Sequence, residues 1–363
     1  MMMQNLDLDR LTVARSNGPL LSLRAAFHSG IRVAHLSDDP GLGGVTRTLD
    51  AQLPRLDASF QHARHLVAPT RGLPPALRAD VIVIHFTVSW QKLPWLFGLR
   101  RRNPGAGIIL VEHSYTRAFE ALHVRSTSRF RRMLQIACAL VDRVVTVSAA
   151  QGAWLAEAAC LRPGKLVAIN PFTPLDSLRA LPLPSRTHAP LLVCGYGRYA
   201  PQKGFDTLIE AMRLVPEQIA TLRLVGLGPD EAALRRQALD LPHVTVSGPV
   251  SGPEKLFAEV DAVVIPSRFE AFGNVGAEAR AAGRPIVVAD VDGLSAQALD
   301  AAELTVPPGD PAALAAAIAW LAGQDLAVLG AKARYSVEGT EARTIAAWNA
   351  ILGETGARAR RAG

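Results

Sequence analysis

From residue 31 onward, short apolar runs alternate with longer stretches whose apolar residues recur at helical spacing. Residues 31–37, 81–85, 108–111, 143–148 and 165–170 are of strand length. A second series follows at 191–195, 221–225, 244–247, 261–266 and 286–289. Between them the pattern predicts helices at 45–53, 205–215, 230–239, 312–321 and 340–352. In the helix from 205, Phe205, Leu208, Ile209 and Met212 share one face. Strands separated by helices imply parallel sheets of α/β type. The stretch LPLPSRTHAP at 181–190 has three prolines and no period, and reads as a linker. The expected organisation is an extension at 1–30, a first domain at 31–181, a linker at 182–190 and a second domain at 191–338. Residues 339–363 form a terminal helix with a basic tail.

A chain of 363 residues is long enough for two cores. No apolar run reaches the ~18–20 residues of a membrane span. The opening MMMQNLDLDRLTV lacks a basic region before an apolar core, so no signal peptide is expected. Cys138, Cys160 and Cys194 stand singly in apolar surroundings, which predicts buried thiols and a reducing cytoplasm. The net charge of +7 raises nucleic acid as a partner, but no zinc-finger, ribonucleoprotein or basic–aromatic pattern supports it. The basic residues gather at 100–102, 125–132 and 358–361. Trp95, Leu96 and Phe97 just before the first cluster suggest a peripheral seat on the anionic inner face of the cell membrane. Solvated arginines at a helix end are the alternative.

The chemistry concentrates at 260–288, VDAVVIPSRFEAFGNVGAEARAAGRPIVV, which reads strand, loop, short helix, strand. Its loop holds Glu270 and its helix Glu278. On a continuous helix these would stand ~12 Å apart, beyond the ~5–5.5 Å of a retaining glycosidase pair. The span suits a nucleotide sugar better, one carboxylate on ribose and one on sugar hydroxyls, with helix N–H groups free for phosphate. Two solvated glutamates are the plain alternative. At 195–200, Gly195-Tyr196-Gly197-Arg198-Tyr199-Ala200 spells G-x-G-x-x-A after a strand, a dinucleotide fingerprint on its face. Pro201 and Lys203-Gly204 intervene before the helix, and the next strand ends in Gly226 instead of an acidic residue, so that reading fails. The same residues also give G-R followed by K-G, and cations Arg198 and Lys203 at that interval can grip a diphosphate.

Glu270, Phe272, Gly273, Glu278 and Ala279, framed by Pro266-Ser267 and Gly283-Arg284-Pro285, resemble the donor-site motif of the family 4 retaining glycosyltransferases. Gly197-Arg198 and Lys203-Gly204 match the G-R…K-G motif of that family. The similarity spans most of 31–355 and is strongest over 190–310. It implies the GT-B fold, two Rossmann-like doubly wound domains facing across a cleft, with the C-terminal helix crossing back to the first. It also implies transfer from a nucleotide-diphosphate sugar, as co-substrate, to a sugar or lipid-linked sugar acceptor, without metal or other cofactor. By resemblance the catalytic residues are Glu270, His113, Arg198 and Lys203. The donor-binding residues are Gly43, Gly44, Gly197, Gly226, Phe272, Gly273, Asn274 and Glu278. Cell-surface polysaccharide, lipopolysaccharide or glycolipid assembly is the expected setting. A nucleotide-sugar epimerase or hydrolase, or a non-catalytic nucleotide-sugar-binding protein, remains the alternative. Two departures stand out. Asn170-Pro171 replaces an asparagine-glycine pair, and Asp292–Gln297 lacks a glutamate the family carries.

Overall fold

The computed structural model describes residues 30–38, 44–184, 190–298 and 304–362. Two six-stranded sheets form the frame, and every pairing within them is parallel. The first contains β1 (Ile31–Ser37), β2 (Phe60–Leu66), β3 (Val81–Ile84), β4 (Gly107–Glu112), β5 (Arg143–Thr146) and β6 (Leu166–Ala168). Their order is β2-β1-β3-β4-β5-β6. The second contains β7 (Leu191–Tyr196), β8 (Ala220–Val225), β9 (Val244–Ser247), β10 (Ala262–Ile265), β11 (Ile286–Ala289) and β12 (Thr305–Val306). Their order is β12-β11-β10-β7-β8-β9.

Helices cover both faces of each sheet, which is why the central strands are apolar throughout. Alternate residues of one strand enter different cores. Ile82, Ile84, Ile108 and Leu110 join one cluster, while Val81, Val83, Ile109 and Val111 join another. In the second sheet, Val193, Leu224 and Val264 pack on one side and Cys194, Val225 and Ile265 on the other. The predicted face of the Phe205–Arg213 helix is the buried one.

The last helix, Thr340–Ala362, runs ten residues past the apolar pattern that predicted it. Trp348, Ile351 and Leu352 pack with Val33, Val81 and Ile109 of the first sheet. Beyond them, Thr355 lies against Gly107 and Gly356 against Ile31, two close approaches that a side chain at either glycine would block. Packing of small residues leaves no hydrophobic period, so the extension is invisible to pattern reading.

Other differences from expectation share that character. Strand β2, FQHARHL, is a polar edge strand with no apolar run to betray it. Helices Leu93–Arg102, Arg117–His123, Thr127–Ala139, Ala149–Ala158 and Leu326–Ser336 fill stretches the pattern left unassigned. Trp95 and Leu96 are buried, so the proposed aromatic patch reduces to Phe97, which is 54% exposed. Cys160 is exposed, contrary to expectation, because it sits in a turn with φ 52°. The extension up to residue 29, linker residues 185–189 and Gly43 lie outside the described residues.

Candidate active site

A cleft of ≈ 650 Å³ is lined by segments that follow the carboxyl ends of β4, β5, β7, β8 and β10 and by the Gly44–Gln52 helix after β1. Parallel sheets leave their ligands at this end, because the loops there feed helix N-termini. Of the residues expected at the site, His113, Gly197, Arg198, Lys203, Gly226, Glu270, Phe272, Gly273, Asn274 and Glu278 all line it. Gly44 opens the helix after β1.

Lys203 ends a short 3₁₀ turn, Pro201–Lys203, that Gly204 closes in the left-handed region at φ 65°. Its Nζ pairs directly with Oε2 of Glu270. Both side chains are largely buried, at 20% and 14% exposure, so little solvent screens the pair. An ammonium has three donors, which lets Lys203 hold Glu270 and still meet a second anion. Ser267 Oγ donates to the same carboxylate oxygen at 3.4 Å. Arg198 is exposed in the cleft wall with no ion-pair partner among the described residues. The backbone also constrains this corner: a Cβ on Gly226 would overlap the Gly197 carbonyl oxygen.

The Glu270 loop is held by Asp292, which sequence reasoning missed. Asp292 adopts φ 44°, and its Oδ2 accepts the Glu270 N–H at 3.2 Å. Its Oδ1 accepts the Ala118 N–H at 3.1 Å, tying the Glu270 loop to the first lobe. Thus the segment that departs from the family pattern contributes a carboxylate to the loop backbone instead. An Asp-Gly pair signals only a turn in sequence, so the partner was not legible. Gln297 completes the support, donating to the carbonyls of Phe272 and Gly273.

The helix Asn274–Ala281 begins at Gly273, whose φ of 85° turns the chain so that the helix N-terminus opens on the cleft. Phe272 packs with Val147 of the first lobe, closing the apolar floor between lobes. Glu278 is one turn into the helix and 8% exposed. Burial pushes its carboxyl up to about 6, with Arg47 pulling it down and Glu254 adding to the rise. Arg47, on the Gly44–Gln52 helix, also bonds Tyr196 at the end of β7, and was not anticipated from sequence. A lone arginine after a glycine loop has no spacing signature.

His113 follows β4. The buried Glu112 before it accepts the N–H groups of Ser114 and Tyr115 at 2.8 and 3.0 Å, which fixes the turn that carries the imidazole. Burial pushes His113 down to about 4, so it is neutral at physiological pH. Among the described residues, no group of three or more His, Cys, Asp or Glu is placed to hold a metal ion.

Two doubly wound lobes with carboxylates, cations and a helix N-terminus around one cleft define a GT-B protein. The family described as "Glycosyl transferases group 1" matches residues 190–324. D-inositol 3-phosphate glycosyltransferase of Xylanimonas cellulosilytica is 27% identical, over 82% of this chain and 74% of its own. The enzyme of the same name from Kineococcus radiotolerans is 28% identical, over 75% of this chain and 66% of its own. Among solved structures, Anabaena HepE in complex with UDP-glucose superposes with a TM-score of 0.70 at 19% identity, covering 90% of this chain and 99% of that one. The chain has the GT-B fold, and its second lobe matches a glycosyltransferase family.

Proposed function

We propose that this glycosyltransferase moves a sugar from a nucleoside-diphosphate donor to a hydroxyl acceptor with retention of anomeric configuration. The observation that carries the reading is the Lys203–Glu270 pair, set beside Arg198 and below the N-terminus of the Glu278 helix. Glu270 orients sugar hydroxyls and Glu278 accepts from the ribose. The diphosphate lies at Arg198, Lys203 and the free N–H groups of Gly273 to Val275. As the bond from the anomeric carbon to the phosphate oxygen breaks, negative charge grows on the leaving diphosphate. One preorganised donor in such a place contributes ~10²–10³ in rate. The acceptor oxygen bonds to the same face of the anomeric carbon, and its proton passes to the departing phosphate oxygen. No enzyme-bound intermediate is needed, and the cations do the work of a metal.

The acceptor meets the first lobe. Exposed Phe97 beside Arg101 and Arg102 supports a peripheral membrane seat and a lipid-linked acceptor in cell-surface glycan assembly. The curated relatives named for inositol 3-phosphate add a phosphorylated cyclitol to the acceptor screen. Among the described residues, no single helix is long and apolar enough to cross a membrane.

Thermal unfolding with UDP, GDP and ADP in turn tests the donor site. A ligand at 100 times its dissociation constant stabilises by ~2.7 kcal/mol. UDP, found in the HepE complexes, is the first to try. Glu270→Ala should abolish transfer, and unchanged turnover would sink the assignment. Sugar release without acceptor, at the rate seen with it, would mark a hydrolase instead.

A further inference from the structure

Four histidines form a hydrogen-bonded row that begins in the cleft and ends at the sheet edge. His113 Nε2 lies 3.3 Å from His85 Nδ1. His85 Nε2 lies 3.0 Å from His35 Nδ1, and His35 Nε2 lies 3.0 Å from His62 Nδ1. The row crosses from β4 to β3, β1 and β2, neighbours in the sheet. His35 and His85 are buried, at 3% and 6% exposure. The outermost nitrogen, His62 Nε2, is buried and has no partner.

A neutral imidazole has one N–H and one lone pair. Each contact between rings needs one proton, so all the rings must point the same way. Three contacts use three of the four protons, and the fourth sits at one end of the row. It is either on His62 Nε2, buried without an acceptor, or on His113 Nδ1 in the cleft. A buried N–H without a partner is the worse choice. An unpartnered buried acceptor is the less costly of the two, so the cleft end is favoured. Burial keeps the four rings neutral, and Arg64 beside His35 and His85 further opposes an added charge.

We infer that His62, His35 and His85 are positioning residues that set the tautomer of His113, leaving its Nδ1–H directed at the cleft as a hydrogen-bond donor to a substrate hydroxyl. The carboxylate that often orients a functional histidine is replaced by three imidazoles and an unpartnered nitrogen at the far end. That the recipient is a sugar or acceptor hydroxyl rests on the glycosyltransferase reading; the tautomer itself does not.

The experiment is ¹⁵N–¹H correlation NMR of the histidine rings in the full chain without substrate. Wild type should show His113 with a protonated Nδ1 and a bare Nε2. His62→Leu ends the row in an apolar group and should leave that pattern unchanged. His62→Asp supplies a fixed acceptor to His35 Nε2–H, so every ring should reverse and His113 should lose its Nδ1 proton. His62 is a partly exposed edge-strand residue, and a cooperative melt confirms that each variant folds. In steady-state kinetics, His62→Asp should lower kcat/KM by about 2–10-fold, the value of one neutral hydrogen bond. A protonated Nε2 on His113 in wild type overturns the proposal, as does a His113 signal indifferent to His62→Asp. A parallel UDP titration separates the two readings. Binding with the wrong tautomer fails only this inference, and the right tautomer without nucleotide binding fails only the donor-site reading.

Discussion

Glu278→Gln should stabilise the free protein at neutral pH while weakening the proposed donor site. A carboxyl moved from 4.5 to about 6 by burial favours its neutral form by about 2 kcal/mol, at ~1.36 kcal/mol per unit. Because the folded value is raised, the unfolded chain releases this proton first as pH rises. Stability therefore falls with pH through the interval from 4.5 to about 6. The penalty is fully present above that interval and absent below it. Glutamine keeps the shape of the neutral acid and removes the titration. At pH 7.5 the variant should melt about 3–6 °C higher, the range depending on whether one lobe or the whole chain unfolds together. At pH 4 the two proteins should melt together. Saturating UDP should offset most or all of that advantage, since the proposed charge-assisted bond to ribose is lost and affinity should fall by roughly 10–100-fold, about 1.4–2.8 kcal/mol. Melting curves at five pH values, with and without UDP, make the test. A variant no more stable than wild type at pH 7.5, or equally advantaged at pH 4, would refute the burial argument.

Gly204→Ala should destabilise by about 2–4 kcal/mol, from left-handed backbone plus overlap with the Pro266 carbonyl; a urea midpoint near wild type would contradict this. Asp292→Asn turns an acceptor oxygen into a donor against the Glu270 or Ala118 N–H, so stability should drop about 1–3 kcal/mol. Its kcat should fall more than its affinity for UDP, which kinetics and calorimetry together would show. Of the three thiols, exposed Cys160 should react quickly with an aromatic disulfide reagent in the native protein. Cys138 and Cys194, pushed up to about 12 by burial, should react only after denaturation, and a second fast thiol would contradict their burial.

Much of this molecule is legible in local pattern. The apolar runs of β1, β3, β4, β7, β10 and β11 announce buried parallel strands because both faces of each are covered. The spacing of Phe205, Leu208, Ile209 and Met212 announces a helix face. Glu270, Glu278, Arg198 and Lys203 stand out through their resemblance to a family motif; by spacing alone, solvated carboxylates and cations would read as well. These are short-range properties, and the chain carries them in order.

The tertiary structure decided whatever depends on distant partners. Nothing in the sequence pairs Lys203 with Glu270, 67 residues apart, or sets Asp292 on the Glu270 loop and Ala118 together. Polar edge strand β2 has no apolar run, yet it brings His62 to His35. The four histidines lie at 35, 62, 85 and 113, with no motif or period among them. They meet because β2, β1, β3 and β4 are neighbours in a parallel sheet; the register pairs His35 with Arg64 and Val33 with His62, so the row crosses the strands diagonally, two residues off register at that step. Periodicity records what each segment buries. Only the folded sheet determines which buried groups meet.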